Sequence, residues 1–372
     1  MKEINENEKK FTLKEQFFSD EIVTKFAKDI EEVTQTTSAE NFLKLYKETN
    51  WKNTELMQRI ALLSETLHKI LPTDYEEAIE ILKILVVKNG SGFHSLVFPR
   101  YVSSYGLEHF KISLPALAFF TQFSSSEFAI RYFIQKEPEK VMEIMLQWAD
   151  NENFHIRRLA SEGCRPRLPW GIALKNFIQN PQPILPILEK LKNDNEDYVR
   201  RSVANNLNDI SKDHKEIVLD IAKKWINQTP QTDWILKHAC RTLLKKGNPM
   251  ALNLFGIDHQ LNVRILNFSS NKKEANIGSF IQLNAEYEIF EDAQNVRIEY
   301  IVHYVKANGS TSPKVFQWKQ TTENKGIYKI TKKHNFLKLT TRKLYTGVHS
   351  ISLVFNGKEV AKTEIFLSEN II

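Results

Sequence analysis

From Thr12 to about Gly256 the apolar residues recur at intervals of three and four. Phe17, Ile22, Val23, Phe26 and Ile30 form one such series, Phe42, Leu43, Leu45 and Tyr46 a second, and Met57, Ile60, Leu63 and Leu67 a third. That spacing places them on one face of a helix. Punctuation supports the reading. Thr12-Leu13-Lys14-Glu15 and Asp213-His214-Lys215-Glu216 have capping-box form, and Thr73-Asp74-Tyr75-Glu76 starts a further helix. Ser113-Leu114-Pro115 puts a proline near a helix start, and Gly247 followed by Pro249 is a stop signal. From Leu261 the period changes to two, in Val263–Phe268, Phe280–Tyr287 and Val296–Tyr304. Asn308-Gly309 and Asn356-Gly357 supply hairpin turns between the strands.

The helical region also repeats itself. Phe154-His155-Ile156-Arg157-Arg158 follows the polar turn Asp150–Asn153, and Tyr198-Val199-Arg200-Arg201 follows the turn Asp194–Asp197. Phe128-Ala129-Ile130-Arg131 and Trp234-Ile235-Leu236-Lys237 are fainter copies. A turn, a helix with paired cations and a return helix, repeated, predicts a HEAT-like α-helical solenoid. About seven short strands over about 110 residues predict an immunoglobulin-like β-sandwich, without the cysteine pair of antibody domains. The chain therefore reads as multidomain α + β: a tail over 1–12, a helical repeat domain over 13–257 and a sandwich over 258–372.

Charge sharpens the picture. The net +6 conceals a negative first part, because residues 1–156 carry 18 basic and 24 acidic side chains. Residues 157–246 carry 17 and 10, and residues 258–372 carry 16 and 11. Positive charge begins at the Arg-Arg repeats, which predicts a column of arginines facing a polyanion. Lys329, Lys332, Lys333, Lys338, Arg342 and Lys343 form a second cluster, either another grip on that partner or a solvated sandwich surface. No apolar run reaches membrane-span length and the first residues are too polar for a signal peptide, so a cytoplasmic location is expected. Two isolated cysteines, Cys164 and Cys240, argue against a disulfide scaffold or structural zinc.

There is no phosphate-binding glycine loop, no HExxH and no GxSxG. What remains is a set of carboxylates. Glu127 precedes Arg131 by four residues and Glu162 follows Arg158 by four, both spacings of helical ion pairs. After Gly163, which reads as a helix end, Arg165-Pro166-Arg167-Leu168-Pro169 forces an extended loop toward Trp170. That tryptophan is either a core anchor or an exposed platform. Asp209 sits near the end of the second repeat helix, where a negative charge opposes the macrodipole, so a functional role gains weight. Asn205, Asn206 and Asn208 give that helix an unusually polar face, or simply solvate its end.

Residues 123–131, 157–163, 165–170 and 200–211 together resemble the HEAT-like repeat alkylpurine DNA glycosylases, in the AlkC-type branch, some members of which carry an immunoglobulin-like domain after the repeats. The resemblance covers about residues 13–256. It implies a monofunctional hydrolase that removes cationic alkylated bases, chiefly 3-methyladenine and also 3-methylcytosine, from duplex DNA without extruding the nucleotide. By motif it points to Glu127, Glu162, Trp170 and Asp209 as the reacting constellation, with Asp209 first, Glu162 second and Glu127 supporting. The backbone contacts expected are Arg157, Arg158, Arg165, Arg200, Arg201 and Lys212. No cofactor or metal is implied, and a monomer bound to duplex DNA containing alkylated bases is expected, near the nucleoid. The alternative from another class is a non-catalytic binder of damaged DNA, or a scaffold for a protein partner.

Overall fold

The computed structural model describes residues 12–35, 37–337 and 343–369. The expected tail lies outside the described residues except for Thr12, and so do Lys338 and Arg342 of the C-terminal basic cluster. Thr12 caps the helix Leu13–Phe17, with Glu15 returning to its backbone N–H at 2.8 Å. Helices then follow one another to Pro249–Leu254, and strands begin at Val263. The chain forms two compact units, one of residues up to Asp213 with Asn227–Ile235, the other of His214–Ile226 with Leu236–Ile372.

In the first unit the repeat helices Glu127–Lys136, Phe154–Gly163 and Asp197–Ile210 pack side by side. Their contact is close because small residues line it. A Cβ on Gly163 would lie 2.6 Å from Ile130 Cγ2, so this glycine is required by helix packing, besides ending its helix. Ser161 Oγ and Ser202 Oγ are hydrogen bonded at 2.7 Å, and Asn206 donates to the Ser161 carbonyl at 2.8 Å. The asparagine-rich face thus serves partly to join two repeats.

Two local expectations are corrected. The helix holding Pro115 begins at Phe110, and the proline sits inside it, on the exposed side. An interior proline forfeits one backbone hydrogen bond, a loss best tolerated on the solvent side where helices bend outward. Asp213 does not complete a capping box. Its carboxylate is held by Arg167 Nη2 at 2.8 and 2.9 Å.

The second unit contains the sandwich, built from β1 (Val263–Ser270), β2 (Glu274–Asn276), β3 (Phe280–Ile289), β4 (Gln294–Val305), β5 (Thr311–Glu323), β6 (Gly326–Asn335), β7 (Gly347–Phe355) and β8 (Lys358–Ser368). One sheet runs β1-β3-β6 and the other β2-β8-β7-β4-β5, with β2 and β8 parallel. Between the sheets lie alternate residues of β3 (Ile281, Leu283, Ala285, Tyr287) and of β4 (Val296, Ile298, Tyr300, Val302). Eight strands stand among the described residues against the about seven expected, and β2, at three residues, is too short to show a period. The β7–β8 turn uses Asn356 at φ +44° and Gly357 at φ +84°, as a two-residue hairpin demands.

Candidate active site

The two repeat arginines in each pair do different work. Arg157 holds Asp194 of the next repeat's turn at 2.6 and 3.0 Å, and also donates to the carbonyls of Asn151 and Glu152 in its own turn. Its pKa is raised, chiefly by the bond to Asp194. Arg200 repeats the arrangement on the carbonyls of Asp194 and Asn195, at 2.6 and 2.7 Å. The first arginine of each pair therefore fastens the turn that precedes its helix. Arg201 is exposed and meets Asp197 at 2.5 Å. The expected free column of arginines is not found, because all four of its members satisfy partners within the fold.

Arg158 turns instead toward a cleft of about 520 Å³, lined by Phe93, Ser125, Glu127, Phe128, Arg158, Glu162, Arg165, Pro169, Trp170 and Tyr198 among others. It bonds Glu127 and Ser125 Oγ, lies 3.5 Å from Glu162, and its guanidinium sits 4.7 Å from the centroid of the Tyr198 ring. Glu162 Oε1 next accepts from Arg165 Nη1 at 2.6 Å. Arg165 reaches on to Asp209, and Lys212 closes the row on the other Asp209 oxygen at 2.8 Å. Glu127, Arg158, Glu162, Arg165, Asp209 and Lys212 thus alternate in sign along one continuous chain.

Burial makes this chain consequential, since Glu162, Arg165 and Asp209 are all buried. An ion taken from water is tolerated only when paired and hydrogen bonded. Burial by itself lowers the pKa of Arg165, but Glu162 and Asp209 outweigh that and hold it above the ordinary guanidinium value. The ion pair expected between Glu127 and Arg131 is not formed. Arg131 is fully buried and donates to the carbonyls of Ile172, Gly163 and Arg165 at 2.6 to 3.0 Å. It occupies the same repeat position as Arg157 and Arg200, and it anchors the loop that leads to Trp170. Its true partners are 32 to 41 residues away, so no local spacing could have revealed them.

The carboxylates differ in what they have left to offer. Both Asp209 oxygens are engaged, Oδ2 by Arg165 and Oδ1 by Lys212, and Asp209 is absent from the cleft lining. Glu162 and Glu127 line the cleft, and each uses one oxygen, Oε1 of Glu162 and Oε2 of Glu127. Among the described residues the second oxygen of each has no donor. Trp170 is the exposed platform, 72% accessible, with its backbone in the left-handed region at φ +65°. A bulky residue there is strained by roughly 1–3 kcal/mol. Such strain persists because the loop is pinned, by Gly171 N to Leu168 O and Leu174 N to Pro166 O, both at 3.1 Å.

Two participants were missed from the sequence. Ser125 donates to Glu127 at 2.8 Å and accepts from Arg158 at the same distance. Tyr198 forms the aromatic floor under Arg158, and burial raises the pKa of its phenol. Beside it His155 packs on Phe154 and Tyr198, and burial together with Arg158 lowers its pKa. That shift favours the neutral imidazole.

Comparison with known proteins agrees with these features. Residues 121–243 match the family described as DNA alkylation repair enzyme, and residues 264–369 match the C-terminal Ig-like domain of YhaZ. The protein YhaZ of Bacillus subtilis (strain 168) is 40% identical over 344 residues, 92% of this chain and 96% of its own length. The alkylpurine DNA glycosylase AlkC of Pseudomonas fluorescens, solved bound to DNA containing an abasic site analog, superimposes with a TM-score of 0.92 at 38% identity. That match covers 96% of this chain and 100% of the other. With identity sustained over nearly its whole length, the chain belongs to the DNA alkylation repair enzyme family, in the AlkC-type branch that carries a C-terminal Ig-like domain.

Proposed function

We propose that this chain is an alkylpurine DNA N-glycosylase that hydrolyses the bond between deoxyribose and a cationic N3-alkylated base, 3-methyladenine foremost and 3-methylcytosine second, in duplex DNA. The observation that carries the reading is the pair Glu127 and Glu162, each presenting one unbonded carboxylate oxygen to an open cleft beside an exposed tryptophan. A mere DNA binder gains nothing from carboxylates on its binding face, because they repel phosphates.

The chemistry needs little else. A base that already bears positive charge leaves as a neutral molecule, so no general acid is required. As the glycosidic bond lengthens, the sugar gains oxocarbenium character, which a nearby carboxylate stabilises. The same group, or its neighbour, accepts a proton from the attacking water. Trp170 offers a π face to the cationic base or the sugar. The openness of the cleft supports action on a base that remains near the helix, in place of the enclosed pocket used by enzymes that extrude their target. Arg158 and Arg165 fix both glutamates in place, and Asp209 acts through Arg165. This ordering departs from the one expected by resemblance, where Asp209 came first.

Single-turnover release of 3-methyladenine from alkylated duplex DNA tests the reading. The parent protein is expected to release base without strand cleavage, and no release, with lesion binding retained, would leave only the non-catalytic binder.

A further inference from the structure

Ten arginines lie between Arg59 and Arg241. Nine are engaged: Arg59 and Arg131 on carbonyls, Arg241 on the carbonyl of His238, and Arg157, Arg158, Arg165, Arg167, Arg200 and Arg201 on carboxylates. Among these ten described residues Arg100 alone has a side chain that makes no hydrogen bond or ion pair. Its Nε is buried with no acceptor. An unsatisfied buried donor on a charged group is costly; Arg131 and Arg158 also leave one nitrogen unsatisfied but anchor the rest of the guanidinium, whereas the Arg100 guanidinium is left with no partner at all.

Arg100 lines a second cavity, of about 250 Å³, beside the cleft. The two share Leu96, Ser125, Phe128 and Trp170 as a common wall. No acidic residue lines the second cavity, whose other walls are mainly apolar, Met57 and Ile172 among them. A cationic base is excluded from it by charge.

Building on the glycosylase reading, we propose that Arg100 is a positioning residue that seats one phosphodiester of the lesion strand next to the reacting sugar. The phosphate meets the guanidinium and the adjoining deoxyribose lies against the apolar wall. Binding energy from this contact sets the distance of the scissile sugar from Glu127 and Glu162. Its place across Trp170 from the carboxylates makes it a register pin, distinct from the repeat arginines that brace the turns.

The test uses full-length protein and duplexes carrying an abasic-site analogue, each with one neutral methylphosphonate linkage near the site. Affinity is measured by anisotropy over a salt series. One linkage position should weaken parent binding about tenfold or more, as expected for a charge-assisted contact. The same linkage should leave Arg100→Gln indifferent, and that variant's salt slope should be smaller by about one. Met57→Trp, which keeps the arginine and fills the cavity, should lose sensitivity at the same position and guards against a folding defect in Arg100→Gln. The inference is overturned if parent and variants respond alike at every linkage. It is also overturned if inorganic phosphate alone stabilises the parent more than Arg100→Gln while the linkages do not discriminate, which marks a free-anion site. Base release from alkylated DNA is scored separately: its absence rejects the glycosylase reading and leaves the linkage result standing.

Discussion

Arg165 grips Asp209 with two nitrogens, Nε and Nη2, each 2.9 Å from the same Oδ2 oxygen. Through its remaining nitrogen, Nη1, the same guanidinium holds Glu162 at 2.6 Å. A buried arginine between two buried carboxylates transmits the loss of either one. Glu162→Gln is expected to lower single-turnover excision about 10²-fold, since it removes a charge that would stabilise the sugar directly. Asp209→Asn should cost less and by another route, freeing Arg165 to close on Glu162. The double variant should therefore fall short of the product of the two single losses. Strict multiplicativity would show that Asp209 faces the sugar itself.

The repeat arginines separate into brace and surface. Arg157→Gln removes the guanidinium from Asp194 and from two turn carbonyls, so the melting temperature should fall while the salt slope of duplex binding stays at the parent value. Arg201→Gln should do the reverse, since its side chain is 64% exposed and an exposed pair contributes little stability. A slope smaller by about one, with unchanged melting, is the expected result for a phosphate contact. If Arg157→Gln lowers the slope and Arg201→Gln does not, the assignment is inverted.

How far the sequence reached follows from the range of each interaction. Helix starts at Thr12 and Asp74, the Asn356-Gly357 hairpin and the alternation of β3 and β4 are decided within a few residues, and they were legible. The Arg158–Glu162 pair, four residues apart, was legible for the same reason. The partners of Arg131, the Asp194 carboxylate on Arg157 and the second bond of Arg165 lie 32 to 44 residues away. They depend on how one repeat stacks on the next, and pairing by local spacing gave Arg131 an acid where its partners are backbone carbonyls. Trp170 was undecided because a tryptophan after two prolines suits core or surface equally. Its 72% exposure settles the matter, and exposure depends on how the pinned loop packs, which local sequence does not encode.

Gly357 offers a check on the second unit. It stands at φ +84° in the β7–β8 turn, and a Cβ there would lie 2.6 Å from the Cα of Gly247, whose own φ is +64°. Gly357→Ala meets both a backbone penalty and a clash with another backbone that has no side chain to move aside. A loss of at least 1–2 kcal/mol is expected, seen as a lower midpoint in urea. Gly309→Ala, in a turn with nothing within 4 Å of the added carbon, should suffer only the backbone part. Equal losses would mean that the close approach to Gly247 relaxes at no cost.

Trp170 gives the test that best separates function from folding. Its indole is 72% exposed and so contributes little packing, while its backbone is held at φ +65°. Trp170→Gly removes the ring and supplies the residue that tolerates this conformation. Stability should hold or rise by about 1 kcal/mol. Trp170→Ala removes the same ring and retains the strain, so it should melt below the glycine variant. Both should lose lesion excision and lesion-specific affinity together, and binding to undamaged duplex should change little, because no charge has been removed. Thermal melts, single-turnover base release and paired binding curves on lesion and intact duplex read all of this in one set of variants. A structural tryptophan would give the opposite result: the glycine variant would be the less stable, and activity would fall only as far as the folded fraction does.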